Sequence, residues 1–293
     1  MRLAYYAIGG GLGHLVRARA VLQALELEAD AVVLTASEHA RDTRIVGSLD
    51  TVPVPAALAH DVAALRRWLL RELEQRAVDC LCVDAFPAGI LGELCDLPED
   101  VVARRWHVAR LLRWPHYMRV IAGSAPRYEQ VWRVEPLVPA QQRFLDAHSA
   151  SCVDLALPIA HVAPADDARD AYWLVVHSGP RDEVAELLAY ADEMRQAEGA
   201  DVALWLATLQ APARLPERTR LLEGVVAAPA YFAAAGRIVS AAGFNVMREA
   251  LPFRHKQRVL PMPRRYDDQF ERARRAFAGV DAVAHAVPTA AAS

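Results

Sequence analysis

The chain twice runs from a short apolar strand through a glycine turn into a helix, and no other feature narrows its possible folds as much. Near one end, Leu3 to Ile8 enters Gly9-Gly10-Gly11-Leu12-Gly13-His14 and a helical stretch carrying Arg17 and Arg19. Far downstream, Ile238-Val239-Ser240 enters Ala241-Ala242-Gly243-Phe244-Asn245, and Glu249 follows on the next helix. Each turn aims backbone N–H groups and a helix N-terminus at whatever lies beyond the strand. A pair of them in two α/β halves predicts a ligand held between the halves.

Short apolar runs alternate with helical periods along the whole chain, the pattern of parallel sheets joined by crossover helices. In the first half strands are expected at Leu3–Ile8, Ala31–Thr35, Thr51–Val54, Cys80–Asp84, Val101–Arg104 and around Cys152–Leu157, with a helix over Ala57–Ala77. In the second half the strands are Tyr172–Val176, Val202–Leu206, Leu221–Val226, Arg237–Ser240 and Arg258–Pro261. Helices are expected at Asp182–Gln196, Ala230–Ala235, Phe244–Leu251 and Asp267–Phe277. Pro158–Asp170 is rich in Pro, Ala and Asp without a period, which divides the chain into domains 1–160 and 161–293. With 293 residues, 54% of them hydrophobic, the chain can fill two cores. The tail from Gly279 is expected to fray.

A net charge of −3 argues against a nucleic-acid partner. The chain opens without the basic, apolar and cleavage regions of a secretory signal, and no apolar run reaches the length of a spanning helix. Cys80, Cys82, Cys95 and Cys152 lack metal-site spacing and read as buried thiols, so a reducing cytoplasm is expected. Arg104 to Arg119 interleaves arginines with aromatics. A peripheral membrane contact or an acidic acceptor would use such a stretch, but Pro115 breaks a long amphipathic helix there. A helix face whose arginine stems cover apolar surface is the preferred reading.

A dinucleotide site is the first alternative for the N-terminal turn. Counted from Gly9 or Gly11, however, the third glycine of G-x-G-x-x-G falls on His14 or Val16. Glu38, past the second strand, keeps that reading open, and no P-loop motif is present. What the glycines deliver instead is His14. At the first turn of a helix its neutral form is favoured, so it can accept a proton near neutral pH. Asp84 ends a strand whose tip shares an edge with that turn, where it could orient the imidazole or cap the following helix.

The strand–G-x-G-H–helix start, VDAFPAGILGEL at 83–94, SAAGFNVMREAL at 240–251 and RVLPMPRRYDDQFERARRA at 258–276 together resemble the nucleotide-sugar glycosyltransferases of the GT-B fold. The likeness is greatest to transferases related to the bacterial enzyme that adds N-acetylglucosamine to lipid-linked peptidoglycan precursors. The resemblance implies an α/β chain with two Rossmann-like, doubly wound parallel sheets facing a cleft. It further implies a UDP-linked sugar as donor, an acceptor hydroxyl of unspecified origin, no cofactor, and inverting transfer without a metal. Under it, His14 is the base that deprotonates the acceptor hydroxyl, with Asp84 as its candidate partner from the strand-end reading above. Gly9, Gly10, Gly11 and Gly13 close on the donor phosphates, as do Ser178, Gly179, Gly243 and Asn245. Glu249 accepts ribose hydroxyls, and Asp268 with Gln269 reads the sugar. A nucleotide-sugar epimerase or hydrolase, or a binding module without turnover, would use the same cleft. The Asp166-Asp167 and Asp267-Asp268 pairs read as solvated or capping, not as metal clamps.

Overall fold

The computed structural model describes residues 1–159, 171–222 and 228–278. Seven strands form the first sheet: β1 Leu3–Ala7, β2 Ala31–Thr35, β3 Asp50–Pro53, β4 Cys80–Asp84, β5 Arg104–Ala109, β6 Tyr128–Arg133 and β7 Ser149–Asp154. Their order is β3-β2-β1-β4-β5-β6-β7, and every neighbouring pair is parallel. The second sheet holds β8 Tyr172–Val176, β9 Ala203–Ala207, β10 Thr219–Leu221, β11 Arg237–Ser240 and β12 Gln257–Val259. It too is all parallel, in the order β10-β9-β8-β11-β12.

Parallel strands covered on both faces must be apolar at nearly every position, and β1, β2 and β4 are buried throughout. The period of two still sorts their side chains. Leu3, Tyr5 and Ala7 pack with Leu15 and Val21 of the helix Leu12–Ala24, whereas Ala4 and Tyr6 pack with Trp68 and Leu69 of the helix Val62–Gln75. The two buried tyrosines need hydroxyl partners. Tyr5 donates to Asp84 Oδ1 at 3.0 Å on one face, and Tyr6 to Glu93 Oε1 at 2.9 Å on the other.

Several expected elements shift for identifiable reasons. The strand expected over Val101–Arg104 runs instead over Arg104–Ala109, because its arginines find partners inside a strand. Arg104 forks onto Glu129 and lies over the Trp106 ring, while Arg105 donates to the Pro98 carbonyl. The arginine-rich stretch is therefore a strand and a short helix, Trp114–Tyr117, and not one helix face. β6 escaped the apolar-run criterion because Glu129, Gln130 and Arg133 interrupt it near the sheet margin. The helix expected from Ala57 starts at Val62, where Asp61 accepts from the Ala64 amide at 2.9 Å. Cys80, Cys82 and Cys95 are buried free thiols, and burial pushes Cys80 up to about 12. The 160/161 boundary, the Asp166-Asp167 pair, positions 223–226 of the strand expected over Leu221–Val226 and the tail from Gly279 lie outside the described residues.

The two sheets are joined by more than chain connectivity. Arg272 of the helix Gln269–Phe277 forks onto Glu135 at 2.8 Å through each nitrogen, reaches Asp267 at 2.8 Å and donates to the Ala242 carbonyl at 2.9 Å. Asp267 also pairs with Arg110, beyond the end of β5. Asp267 is thus neither solvated nor capping, as its sequence context suggested. The two arginines hold its carboxyl below the usual range even though burial opposes the charge. Asp268 does cap the helix, accepting from the Glu271 amide at 3.0 Å. Beside this cluster Tyr266 packs edge-on against Phe86 and Tyr117, its ring centre 5.6 Å from each, and its carbonyl accepts from the Arg113 amide at 2.7 Å. Arg248 adds a further tie, donating to the Pro158 carbonyl at 2.5 Å.

Candidate active site

In an open parallel sheet the ligand crevice lies beyond the strand tips where the strand order reverses. In the first sheet that point is between β1 and β4, and in the second between β8 and β11. The loop after β1 carries Gly9–Gly13, the loop after β4 begins at Asp84, the loop after β8 carries Ser178-Gly179 and the loop after β11 carries Gly243. The two reversal points face each other. Asn245 Nδ2, just past β11, donates to the Gly13 carbonyl at 3.0 Å, and its buried Oδ1 has no protein partner.

His14 and Asp84 meet at the first reversal point. His14 Nδ1 lies 2.6 Å from Asp84 Oδ2. Arg17 forks onto the same carboxylate, Nε to Oδ1 at 2.7 Å and Nη2 to Oδ2 at 2.5 Å, and Tyr5 completes its shell. Burial opposes the Asp84 charge, but the Arg17 guanidinium and the hydrogen bonds from His14 and Arg17 overcome it and keep the carboxyl well below its usual range. An ionised acceptor at 2.6 Å places the imidazole proton on Nδ1 and leaves Nε2 with a free lone pair. Burial lowers the His14 pKa most; the bond to Asp84 pulls it up, and the Arg17 and Arg110 charges add to the lowering. At neutral pH the ring is therefore neutral and able to take a proton.

Local backbone explains how the pair is aimed. Ala85, directly after Asp84, has φ of 63°, a left-handed conformation that costs a β-carbon about 1–2 kcal/mol and turns the chain sharply at the strand tip. Its amide bonds to the Val108 carbonyl and the Phe86 amide to the Asp84 carbonyl, fixing the turn. Phe86 then packs 5.8 Å from the His14 ring. Gly9 is required by contact, since a Cβ there would lie 2.0 Å from the imidazole. Gly10 and Gly11 meet no such demand: a Cβ on either would find nothing within 4 Å. That open space adjoins the N-terminus of the helix Leu12–Ala24, which has no side-chain cap, so its first amides are free for an anion.

The second reversal point is built similarly. Gly243 starts the short helix Phe244–Glu249 without a side-chain cap, and its nearest obstruction is Val246 Cγ1 at 3.8 Å. Ser178 is exposed, while Gly179 is close-packed, a Cβ there falling 2.3 Å from His177 Nε2. His177 is in turn bonded to Glu183 at 2.7 Å, and Arg264 forks onto that carboxylate at 2.5 Å through each nitrogen. Glu249 is largely buried, which raises its pKa despite Arg248 Nη2 at 3.3 Å from Oε1. Gln269 Oε1 accepts from the Met262 amide at 3.0 Å, a bond that shapes the loop after β12 and leaves Nε2 free. His14 with Asp84 and Gly13 with Asn245 are brought together; no hydrogen bond links Asp268 or Gln269 to the His14 site. Sequence reasoning gave Arg17 and Arg110 no role. The spacing of three residues from His14 to Arg17 on one helix face was the available signal.

Among the described residues no three His, Cys, Asp or Glu side chains converge as a metal site, and no helix is long and apolar enough to cross a membrane. Two surface hollows of about 330 and 320 Å³ lie elsewhere. One is bounded by Arg2, Asp30 and Arg76, the other by Arg195, Asp201 and Arg218, and neither touches His14.

No family model matches this chain, and no curated protein matches it. Solved structures do. The spinosyn rhamnosyltransferase SpnG, complexed with thymidine diphosphate, superposes with a TM-score of 0.60 at 17% identity, over 96% of this chain and 85% of its own. The glycosyltransferase SnogD from Streptomyces nogalater gives 0.54 at 17% identity over 95% and 85%. The S. aureus MnaA–UDP co-structure gives 0.59 at 14% identity over 90% and 80%. These likenesses establish the fold: two parallel α/β sheets set with their reversal points facing, the GT-B architecture.

Proposed function

We propose that the protein is a glycosyltransferase that moves a sugar from a nucleoside-diphosphate donor to an acceptor hydroxyl, with His14 as base. The observation that carries the reading is the His14–Asp84 pair at 2.6 Å, Nε2 unpartnered, at a reversal point that faces a second glycine turn. His14 Nε2 takes the acceptor proton as the acceptor oxygen attacks the anomeric carbon, and Asp84 stabilises the imidazolium that forms. Attack opposite the departing diphosphate inverts the anomeric centre. Backbone amides of Gly9–Gly13 and of the Gly243 turn, with Ser178 and Gly179, meet the diphosphate charge in place of a metal. Asn245 Oδ1, an acceptor with no protein partner, remains for a donor hydroxyl, as do Asp268 Oδ2 and Gln269 Nε2. A uridine or thymidine diphosphate sugar is the donor class, supported by the nucleotides named with the superposed structures.

The test is to incubate the protein with donor sugars and an acceptor panel and follow nucleoside diphosphate release together with the anomeric configuration of the product. Inverted product that requires an acceptor supports the reading. Free sugar or an epimer formed from the donor alone assigns the cleft to hydrolysis or epimerisation, and binding without turnover makes it a binding module.

Glu249 yields a separate prediction. A buried carboxylate accepting ribose hydroxyls contributes on the order of 1.5–3 kcal/mol, so Glu249→Ala should weaken nucleoside diphosphate binding about tenfold or more. Calorimetry checks it, and unchanged affinity removes Glu249 from the nucleotide site.

A further inference from the structure

The carboxylate behind the proposed base is shared with a cation. A histidine paired only with an ionised aspartate gains basicity, because the carboxylate favours the imidazolium. Here Arg17 occupies both Asp84 oxygens at 2.7 and 2.5 Å, and its Nη2 lies 3.0 Å from His14 Nδ1. That nitrogen already carries a proton toward Asp84, so Arg17 acts on the ring as a charge and not as a donor. The guanidinium is almost fully buried, and its Cζ lies 5.6 Å from the Phe244 ring centre, at the start of the helix after β11. One side chain therefore touches the proposed base, its carboxylate and the second half's glycine turn.

We propose that Arg17 is a positioning residue that sets the protonation behaviour of the His14–Asp84 pair and ties that pair to the loop after β11. The proposal rests on the reading of His14 as base. The groups facing His14 are Arg17 on its own helix, Asp84 from the tip of β4, Tyr5 of β1 through Asp84, Arg110 beyond β5, and the apolar ring of Phe86. From the second half Asp267 pairs with Arg110 and acts on Arg17 at longer range. Asp84 alone raises the affinity of His14 for a proton; burial, Arg17 and Arg110 lower it. Among the described residues Arg17 is the one positive group bonded directly to the carboxylate, so its charge both repels the imidazolium and offsets the anion that would stabilise it. The consequence is a base that stays neutral into mildly acidic solution, and a carboxylate locked in a single orientation.

The experiment is an NMR titration of the histidine ring signals in the intact chain, His14 being assigned by its loss in His14→Ala. In the wild type His14 should titrate below the usual histidine value of about 6.5 as the Nδ1–H tautomer. In Arg17→Gln it should titrate higher by about one unit or more, and the acid limb of kcat/KM should move up in pH by the same amount. Arg17→Lys, which keeps the charge and loses the fork, should stay nearer the wild type. Equal titration in wild type and Arg17→Gln overturns the proposal, as do equal shifts in the Gln and Lys variants. Should Arg17→Gln not fold, the comparison is made with the carboxylate neutralised as well: His14 should titrate higher in Arg17→Gln/Asp84→Asn than in Asp84→Asn, and equal titration in the two overturns the proposal. The ring titration needs no turnover. Failure of the glycosyltransferase reading would instead appear as the expected titration without transfer to any acceptor.

Discussion

His14→Ala is expected to lower turnover on the true acceptor by about 10²–10⁴ while donor affinity stays nearly intact, since the loss falls on the transition state. His14 Nδ1 is committed to Asp84, Phe86 fixes the ring from one side and Gly9 allows it to lie against the turn, so Nε2 is the atom left to meet an acceptor. The alanine variant also removes little from the fold, because the Arg17–Asp84 fork persists without the imidazole. Asp84→Asn is a different experiment. It leaves Arg17 buried with its charge unmatched, so it should lower stability as well as rate. Steady-state kinetics with a denaturation curve for each variant separates the effects. Turnover within a few-fold of wild type in His14→Ala would return the histidine to a structural role.

Glu135→Ala should destabilise the protein by about 3–5 kcal/mol, because it leaves Arg272 buried without its bidentate partner. Arg272 would keep Asp267 and the Ala242 carbonyl, but Asp267 is already shared with Arg110. The comparison is Glu129→Ala, which removes an equally well-formed fork with Arg104 at the surface, where side chains are 45% and 48% exposed. An exposed pair of that kind contributes about 0–1 kcal/mol. Urea unfolding of both variants decides the matter: a large loss for Glu135 and a small one for Glu129 are predicted. Equal losses would mean that the buried cluster does not clamp the halves together.

The alternation of apolar runs and glycine turns carried most of the architecture, because parallel strands covered on both faces leave an unmistakable hydrophobic run. β2, β4, β8 and β11 have the ends expected of them, and β1 differs by one residue. Where charge enters a strand, the signal weakens. β6 and the shifted β5 hold Arg104 and Glu129 side by side, and only the pairing across strands shows why both belong there. The pairing of His14 with Asp84 was legible because Asp84 ends a recognisable strand and His14 stands on the first turn of the helix that follows another. The roles of Arg17, Arg110 and Arg272 were not. Each depends on a carboxylate distant in sequence, such as Glu135 for Arg272, and no local period reports such a partner. Asp267 looked like a helix-start residue for the same reason, whereas its neighbour Asp268 performs the capping.

A nucleotide held between the two reversal points is the central expectation, and thermal unfolding with added nucleotides tests it most directly. A ligand that binds only the folded chain stabilises it, by about 2.7 kcal/mol at a concentration of 100 Kd. Uridine or thymidine diphosphate, or their sugars, should raise the unfolding temperature in proportion to the logarithm of concentration, and Glu249→Ala should blunt the rise while His14→Ala leaves it unchanged. No shift with any nucleoside diphosphate or nucleotide sugar at saturating concentration, in a protein that unfolds cooperatively, would contradict the account.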